Sequence, residues 1–320
     1  MREGAGLVPG SRTGRVALTG ADRRSYLQGL LTNDIDALVP GTGCYAALLT
    51  AQGRMITDMR VLELGDAVLL DVPAEQATAI RDHLDRFVIT EDVSVADVTS
   101  TRAEIGLYGP AAIDVLQAAG TEGGAPAALH ASTNVRIAGV PALLVRSDAY
   151  GAGGFDLIAA AEEMPPIEAA LIAAGAVRAS DQDAETVRIE SGRPRFGADM
   201  DADTIPLEAG LEERAISRTK GCYVGQEVIV RVLDRGQGRV ARRLVGLTLP
   251  ASATVPAPGA ALRADGRDVG RVTSATFSPA LARPIALGYV HRDFVEPGTR
   301  VEIDGSGEAI VAALPLVPLQ

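Results

Sequence analysis

The sequence changes character once, near residue 238, and this change most constrains the fold. Before it, segments with helical spacing of apolar residues alternate with strand-like segments, beginning with a strand at GRVALTG (14–20) and a helix at ADRRSYLQGLL (21–31). After the Gly-rich DRGQGR (234–239), short β-like runs follow one another with Gly and Pro turns. This pattern predicts α/β-type units first and then a separate all-β barrel or sandwich.

Further elements follow the same logic. PAEQATAIRDHLDRFVI (73–89) carries an apolar stripe at helical spacing, residues 134–160 are typical of three strands, and MPPIEAALIAAG (164–175) is again helical. The glycines of YGAGG precede a strand instead of joining a strand to a helix, so they indicate a turn and not a phosphate loop. With 320 residues, two or three compact units are expected.

Composition excludes several functions. No apolar stretch approaches the roughly 20 residues of a membrane span, and no apolar signal core follows the N-terminus, so we expect a cytoplasmic protein without membrane contact. Two cysteines, three histidines and no CxxC leave no ligand set for zinc or a resident iron–sulfur cluster. A formal charge of −11 disfavours stable nucleic-acid binding.

Several segments resemble the glycine-cleavage T-protein (aminomethyltransferase) superfamily, in the same order and across nearly the whole chain. They are LLTNDI (30–35), TAQGRMITDMRV (50–61), YGAGGFDL (150–157), RIESGRPRFGADM (188–200), PLEAGL (206–211) and TFSPALARPIALGYV (276–290). The resemblance implies an α+β fold: a three-domain ring around a central folate pocket. Its expected parts are a discontinuous folate-binding domain (1–48 and 134–238), an inserted ferredoxin-like domain (49–133) and a C-terminal β-barrel (239–320).

Within the superfamily, KGCYVGQE (220–227) resembles the YgfZ branch, because T-proteins proper have a similar block without the cysteine. This resemblance implies binding of tetrahydrofolate or a derivative. It also implies support for the assembly or repair of iron–sulfur enzymes, including one that modifies tRNA. The partners would be a folate and iron–sulfur client proteins, and the protein would not act as a standalone enzyme. Two alternatives remain: a folate-dependent aminomethyl or methyl transferase of the T-protein type, and a scaffold with a vestigial pocket.

The resemblance also assigns pocket residues. Glu190 would take the amino and ring N–H groups of the pterin, and Asp58 would orient folate near its reactive nitrogens. The family usually has two consecutive acids there, whereas this chain has Thr57 before Asp58. Tyr45 and Tyr150 would line the pocket. Taken alone, Glu190 fits a solvated surface acid, and each tyrosine fits a core residue with a satisfied hydroxyl group.

Lys220 and Cys222 are two residues apart, so in an extended segment both side chains would leave the same face. An ammonium group beside the thiol would favour the thiolate, the nucleophilic and metal-binding form. We therefore expect an activated thiol at Cys222, against the alternative of a buried structural cysteine with a salt-bridged lysine. Cys44 has no such context and is interpreted as structural.

Overall fold

The computed structural model describes residues 1–318 except Ser11, Ala152 and Gln237. It contains seventeen strands in this described part. They are β1 (Gly6–Pro9), β2 (Thr13–Thr19), β3 (Thr42–Leu49), β4 (Met55–Glu63), β5 (Val68–Pro73), β6 (Ser94–Asp97), β7 (Arg102–Tyr108), β8 (Ser132–Ile137), β9 (Val140–Ser147), β10 (Gly154–Ala160), β11 (Val177–Arg178), β12 (Arg242–Thr248), β13 (Ala261–Ala264), β14 (Arg267–Ser278), β15 (Arg283–His291), β16 (Arg300–Ile303) and β17 (Gly307–Ala312).

The α-helices are short. They are α1 (Arg23–Gln28), α2 (Ala77–Asp85), α3 (Ala112–Ala118), α4 (Met164–Ala173), α5 (Asp181–Glu190), α6 (Glu212–Ala215) and α7 (Gln226–Val230). None of these helices has both the length and the apolar composition that a membrane-spanning helix requires.

The first sheet has five strands in the order β3-β4-β5-β2-β6. Its strands alternate buried apolar residues with partly exposed ones, and α1 and α2 cover the apolar face. The shared core includes Leu27 of α1, Ile80 and Leu84 of α2, and Val61 and Leu70 of the strands. The spacing of apolar residues predicted both helices, although the expected domain division placed them in different domains.

The second sheet has six strands in the order β11-β1-β7-β10-β9-β8. Its apolar face packs on α3 and α4 through residues such as Leu107, Leu157, Leu116 and Ile167. Strand β10 begins at Gly154, the last residue of the glycine cluster, as expected for a turn that leads into a strand. Ala152, within that cluster, lies outside the described residues.

The strand pairings cross one predicted domain boundary. Strand β3 pairs along its length with β4, so a division between residues 48 and 49 would cut through the five-stranded sheet. That sheet uses residues 13–97, whereas β1 and residues 102–178 build the six-stranded sheet. The sequence could not reveal this division because β1, only four residues long, leaves its chain neighbours and pairs with β7.

The C-terminal strands close a barrel in the order β12-β15-β14-β13-β16-β17, and β12 pairs with β17. Two α+β units followed by a β-barrel are therefore confirmed. The barrel's first strand begins at Arg242, while the start of the third domain at residue 239 stays a prediction. Between α5 and the barrel, a largely irregular segment packs Met200, Leu211 and Ile229 against Leu49 and Met55 of the first sheet.

Candidate functional site

A cavity of about 560 Å³ lies where the two sheets meet α5 and the irregular segment. Strands β4 and β5 of the first sheet and β7 of the second contribute to its lining, and α5 supplies Glu185 and Arg188. Arg193 and Arg214 reach it from the irregular segment. Its size falls within the range of small-molecule sites, and many of its lining groups are charged or aromatic.

Asp58 and Tyr45 meet on the wall formed by β3 and β4. The Tyr45 hydroxyl donates a hydrogen bond to the Asp58 carboxylate, and the Arg214 guanidinium lies 4.9 Å from the centre of the Tyr45 ring. Burial raises the pKa of Asp58 above its ordinary value, and the Tyr45 hydrogen bond and the Arg214 charge oppose this. The structure therefore brings these two predicted residues together at one polar point of the cavity.

Thr57 has no access to the cavity. It is fully buried, and it is not one of the lining residues. Adjacent strand residues point to opposite faces, so a residue at position 57 faces away from Asp58. The side chain at position 57 thus forms no part of the cavity wall at Asp58.

A buried network of acids and arginines forms the wall deepest between the sheets. Arg60 donates to Asp71 at 2.8 Å and also pairs with Asp156, while Arg15 pairs with Glu104 at 2.6 Å. Burial, and next the negative charge of Asp156, raise the pKa of Glu104 to about 7. Three carboxyl groups around two guanidinium groups therefore hold a proton near neutral pH.

Aromatic side chains form the next part of the wall. Tyr150 packs edge-on against Tyr108 with 5.0 Å between ring centres. The Tyr108 hydroxyl donates to Asp156 and lies 3.0 Å from the Ser147 hydroxyl oxygen. Tyr150 thus lines the cavity, beside a second tyrosine that the sequence did not single out.

Helix α5 presents Glu185 and Arg188 to the cavity. Arg188 donates to Glu185 at 2.7 Å, to Asp199 at 2.6 Å and to the Ser274 hydroxyl of β14 at 2.8 Å. Burial opposes ionisation of Glu185, but hydrogen bonds and charge from Arg188 and Arg195 lower its pKa to about 2. These contacts fix the helix against the barrel.

Glu190, which was predicted to hold the pterin, lies away from the cavity in the structure. Its carboxylate is almost fully buried, accepts hydrogen bonds from Arg2 and from the Ser278 hydroxyl, and does not line the cavity. The reason is helical geometry: two residues along an α-helix turn the side chain by about 200° from Arg188. The sequence left open whether this segment was strand or helix.

Two arginines and one acid form the rim. Asp148 accepts from Arg193 and, at 3.5 Å, from Arg214. Burial, and next the charge of Arg214, lower the pKa of Arg193. Two guanidinium groups therefore share one carboxylate, which leaves the rim suited to an anionic group.

Lys220 and Cys222 lie outside the cavity lining, and their side chains have different surroundings. Lys220, the only lysine in the sequence, is buried and donates to the carbonyl groups of Gln28, Leu31 and Asn33 at 2.7, 2.5 and 2.8 Å. Cys222 is exposed. The expected pairing of this ammonium group with the Cys222 thiol is corrected, because the ammonium group is directed at the end of α1.

Lys220 acts electrostatically on the other cysteine. Burial raises the pKa of the half-buried Cys44 thiol to about 12, and the Lys220 charge partly opposes this. Burial also lowers the pKa of Lys220 to about 8, so the charged form still predominates at neutral pH.

Sequence reasoning missed most charged residues of the cavity. A signal was present, because Arg60, Asp71 and Asp156 each interrupt a strand that is otherwise largely apolar. A charged residue inside such a strand must find a buried partner, and here these three find one another. In the described part of the chain, no group of three or more His, Cys, Asp or Glu side chains is placed to hold a metal ion.

Comparisons with known proteins agree with this architecture. The family profile of the GCVT N-terminal domain matches residues 1–220, and that of the glycine cleavage T-protein C-terminal barrel domain matches residues 242–318. The aminomethyltransferase of Geobacillus kaustophilus is 32% identical, with 99% of this chain and 88% of the relative covered. That of Nostoc sp. is 30% identical, with 98% and 84% covered. The crystal structure of the glycine cleavage system aminomethyltransferase T from Bartonella henselae has a TM-score of 0.88 and 25% identity, covering 100% of this chain and 88% of that one.

Proposed function

The chain belongs to the glycine cleavage T-protein family, and from this premise we propose that it binds a reduced folate in the cavity and transfers a one-carbon unit between that folate and an aminomethyl donor. Its relatives named aminomethyltransferase match nearly its full length, which supports this function. We place the activity in the cytoplasm, a reducing compartment in which the free thiols Cys44 and Cys222 stay reduced.

Asp58 is the observation that carries the proposal. It is a carboxyl group in a buried wall, held by the Tyr45 hydroxyl and close to the Arg214 charge, and its pKa is raised by burial. A positioned carboxyl group of this kind is suited to orient a reacting nitrogen and to exchange a proton with it. Since Thr57 faces away from the cavity, its identity does not count against transfer chemistry.

The residues present fit a reduced folate. The cavity is large enough for a drug-sized ligand, and Tyr45 and Tyr150 offer aromatic rings to a flat heterocycle. Buried carboxyl groups suit the N–H edge of a pterin, and Asp156 replaces Glu190 in this role because it lines the cavity. Arg193 and Arg214 suit the carboxylates of the glutamate. When bound, tetrahydrofolate would supply the nitrogen atoms that accept the one-carbon unit.

Asp58→Asn tests this function. We expect the formation of methylenetetrahydrofolate from an aminomethyl donor to fall by roughly 10²-fold or more, which is typical of losing an acid–base group. Tetrahydrofolate affinity, measured by calorimetry, should change much less. Asp66→Asn, which alters an exposed acid in the β4–β5 turn, is the matched control. Equal transfer rates in Asp58→Asn and the wild type would refute the assigned role, and absence of transfer in the wild type would refute the transferase.

Cys222 favours a second function, which we propose as the alternative: a YgfZ-type role in maintaining iron–sulfur enzymes, including one that modifies tRNA. The thiol is exposed and outside the cavity, so a client protein could reach it while folate stays bound. Its loop is held close to the β3–β4 turn, because Gly225 has φ +84° and an added Cβ there would lie 2.5 Å from the Thr50 carbonyl oxygen. A fixed, exposed thiol suits contact with a client's cluster.

Cys222→Ser separates the two functions. In cells that lack the protein, the variant should fail to restore iron–sulfur enzyme activity, while the purified variant keeps tetrahydrofolate affinity. Cys44→Ser, at the half-buried cysteine, is the control and should restore that activity. Full restoration by Cys222→Ser would remove the thiol from the function and leave folate chemistry alone.

A further inference from the structure

His130 lines the cavity with a backbone conformation that few residues adopt. It lies in the loop between α3 and β8 and has φ +63°. Positive φ is uncommon outside glycine, although histidine tolerates it better than most residues. Such conformations persist where the surroundings fix them, and they occur often at functional sites.

The surroundings fix His130 from two sides. Its backbone N–H donates to the Arg146 carbonyl of β9 at 3.0 Å, and Arg146 N–H donates back to Ala131 at 2.8 Å. On the other side, a Cβ added to Gly43 of β3 would lie 2.8 Å from the His130 carbonyl oxygen. The backbone is thus held tightly between two strands, which directs the ring consistently to one place.

The two ring nitrogens differ in their environment. Nδ1 is fully buried and has no hydrogen-bond partner among the described residues. Nε2 does not belong to this set of buried atoms without a partner. Since no hydrogen bond within the described chain involves Nε2, this atom remains accessible. Buried N–H groups without partners are rarer than buried acceptors without partners. We therefore assign the lone pair to Nδ1 and the hydrogen to Nε2.

Burial and the neighbouring arginines keep the ring neutral. Burial, and next the charge of Arg60 on β4, lower the pKa of His130 to about 4. Arg214 of α6 acts in the same direction, while Asp148 after β9 and Asp156 on β10 oppose it. Near neutral pH the imidazole is uncharged and offers one donor, Nε2–H.

We propose that His130 is a ligand-contacting residue, whose Nε2–H donates a hydrogen bond to an oxygen acceptor of the molecule bound in the cavity. The cavity lining, the strained but fixed backbone and the unequal ring nitrogens carry this inference. It rests on the proposed function, because a reduced folate has acceptors of this class in its carbonyl and carboxylate oxygens. His130 adds an uncharged nitrogen donor to a wall that also carries charged and aromatic groups.

His130→Gly is the sharpest test, because glycine adopts φ +63° without strain and removes the donor. In ligand-free protein its melting temperature should equal or exceed that of the wild type. Its affinity for tetrahydrofolate should fall about fivefold, as for one lost hydrogen bond. Ala138→Gly is the matched control, since Ala138 has φ +52° in an exposed turn, and its affinity should not change.

Comparing tetrahydrofolate with a tetrahydropterin that lacks the aryl-glutamate arm locates the acceptor. If His130→Gly loses affinity for both ligands, the acceptor is the pterin carbonyl group. If it loses affinity for tetrahydrofolate alone, the acceptor lies on the aryl-glutamate arm. Equal affinities of His130→Gly and the wild type would overturn the contact and leave the proposed function standing. A wild-type protein that binds no tetrahydrofolate would overturn both.

Nuclear magnetic resonance of labelled histidines gives a readout that does not depend on folding of a variant. The His130 ring should stay neutral well below pH 6, carry its hydrogen on Nε2, and shift when tetrahydrofolate is added. A hydrogen found on Nδ1 would overturn the proposed donor.

Discussion

Glu104 shows how the buried wall controls a single proton. Its carboxyl group lies beside Arg15 and near Asp156, and burial together with that neighbouring charge raises its pKa to about 7. An unfolded glutamate titrates near pH 4.5, so the folded chain binds more protons than the unfolded chain between these two pH values. Stability from this group is present below about pH 4.5 and is lost as the pH rises toward 7.

Glu104→Gln should abolish that pH dependence. We expect the wild type to lose on the order of 2–4 kcal/mol of unfolding free energy relative to the variant between pH 4.5 and 7.5. Urea titrations of both proteins across this range measure the difference. If the unfolding free energies of the two proteins change with pH in parallel, Glu104 is ionised over the whole range, because the arginines stabilise its carboxylate.

The sequence revealed individual site residues only through their resemblance to family positions. Asp58, Tyr45 and Tyr150 could be placed because each matches a family position, Asp58 and Tyr150 within a similar block and Tyr45 shortly before one, and all three line the cavity. Glu190 could not, since its direction depends on α5 being a helix. Lys220 could not either: the three carbonyl groups that it contacts belong to residues 187 to 192 positions away in sequence.

Helix α5 is the element that connects the cavity to the barrel. It begins with a capping box at Ser180 and Asp183, and Arg188 then joins Glu185, Asp199 and the barrel residue Ser274. Because Arg188 is buried, its removal would leave two carboxylates without their main partner. Arg188 thus joins the helix to both the irregular segment and the barrel.

Arg188→Met should destabilise the protein by about 3–5 kcal/mol, the usual cost of breaking a buried ion pair. Arg195→Gln removes a more exposed partner of the same Glu185 and should cost less than about 1 kcal/mol. Chemical unfolding of the two variants beside the wild type gives the comparison. Similar losses of unfolding free energy in both variants would mean that Arg188 and Arg195 contribute equally to stability.

Helix and strand types could be predicted from periodicity, but helix limits could not. The segment 73–89 was expected to be helical from Pro73, yet Pro73 ends β5 and α2 begins only at Ala77 after a short 3₁₀ turn. The same apolar stripe fits both descriptions. Pairing of Pro73 with Thr13 of β2 decides between them, and such a long-range contact leaves no local signal.

At the scale of the whole molecule, the cavity draws its walls from both sheets, α5 and the irregular segment. A ligand bound there contacts parts of the chain that are distant in sequence, so its binding energy should be coupled to global unfolding. The sequence resemblance anticipated this shared pocket. The sequence did not show which sheet β1 and β3 belong to, because this depends on their pairing with β7 and β4.

Tetrahydrofolate should therefore stabilise the folded chain as one unit. At a free concentration of 100 times Kd we expect about 2.7 kcal/mol of added unfolding free energy. Thermal unfolding followed by both circular dichroism and calorimetry checks this, with free glutamate as the ligand control. If tetrahydrofolate raises the melting temperature of only part of the unfolding transition, the ligand contacts fewer segments than those that line the cavity.

The single, buried lysine gives the molecule a property unrelated to folate. A protease that cuts only after lysine has one site in these 320 residues, and the Lys220 side chain there is held by three carbonyl groups. Cleavage must therefore wait until this loop opens, and it then yields two fragments, 1–220 and 221–320. The digestion rate therefore measures local opening of the loop beside Cys222. Amine-reactive labels should likewise not modify the Lys220 side chain while the loop stays closed.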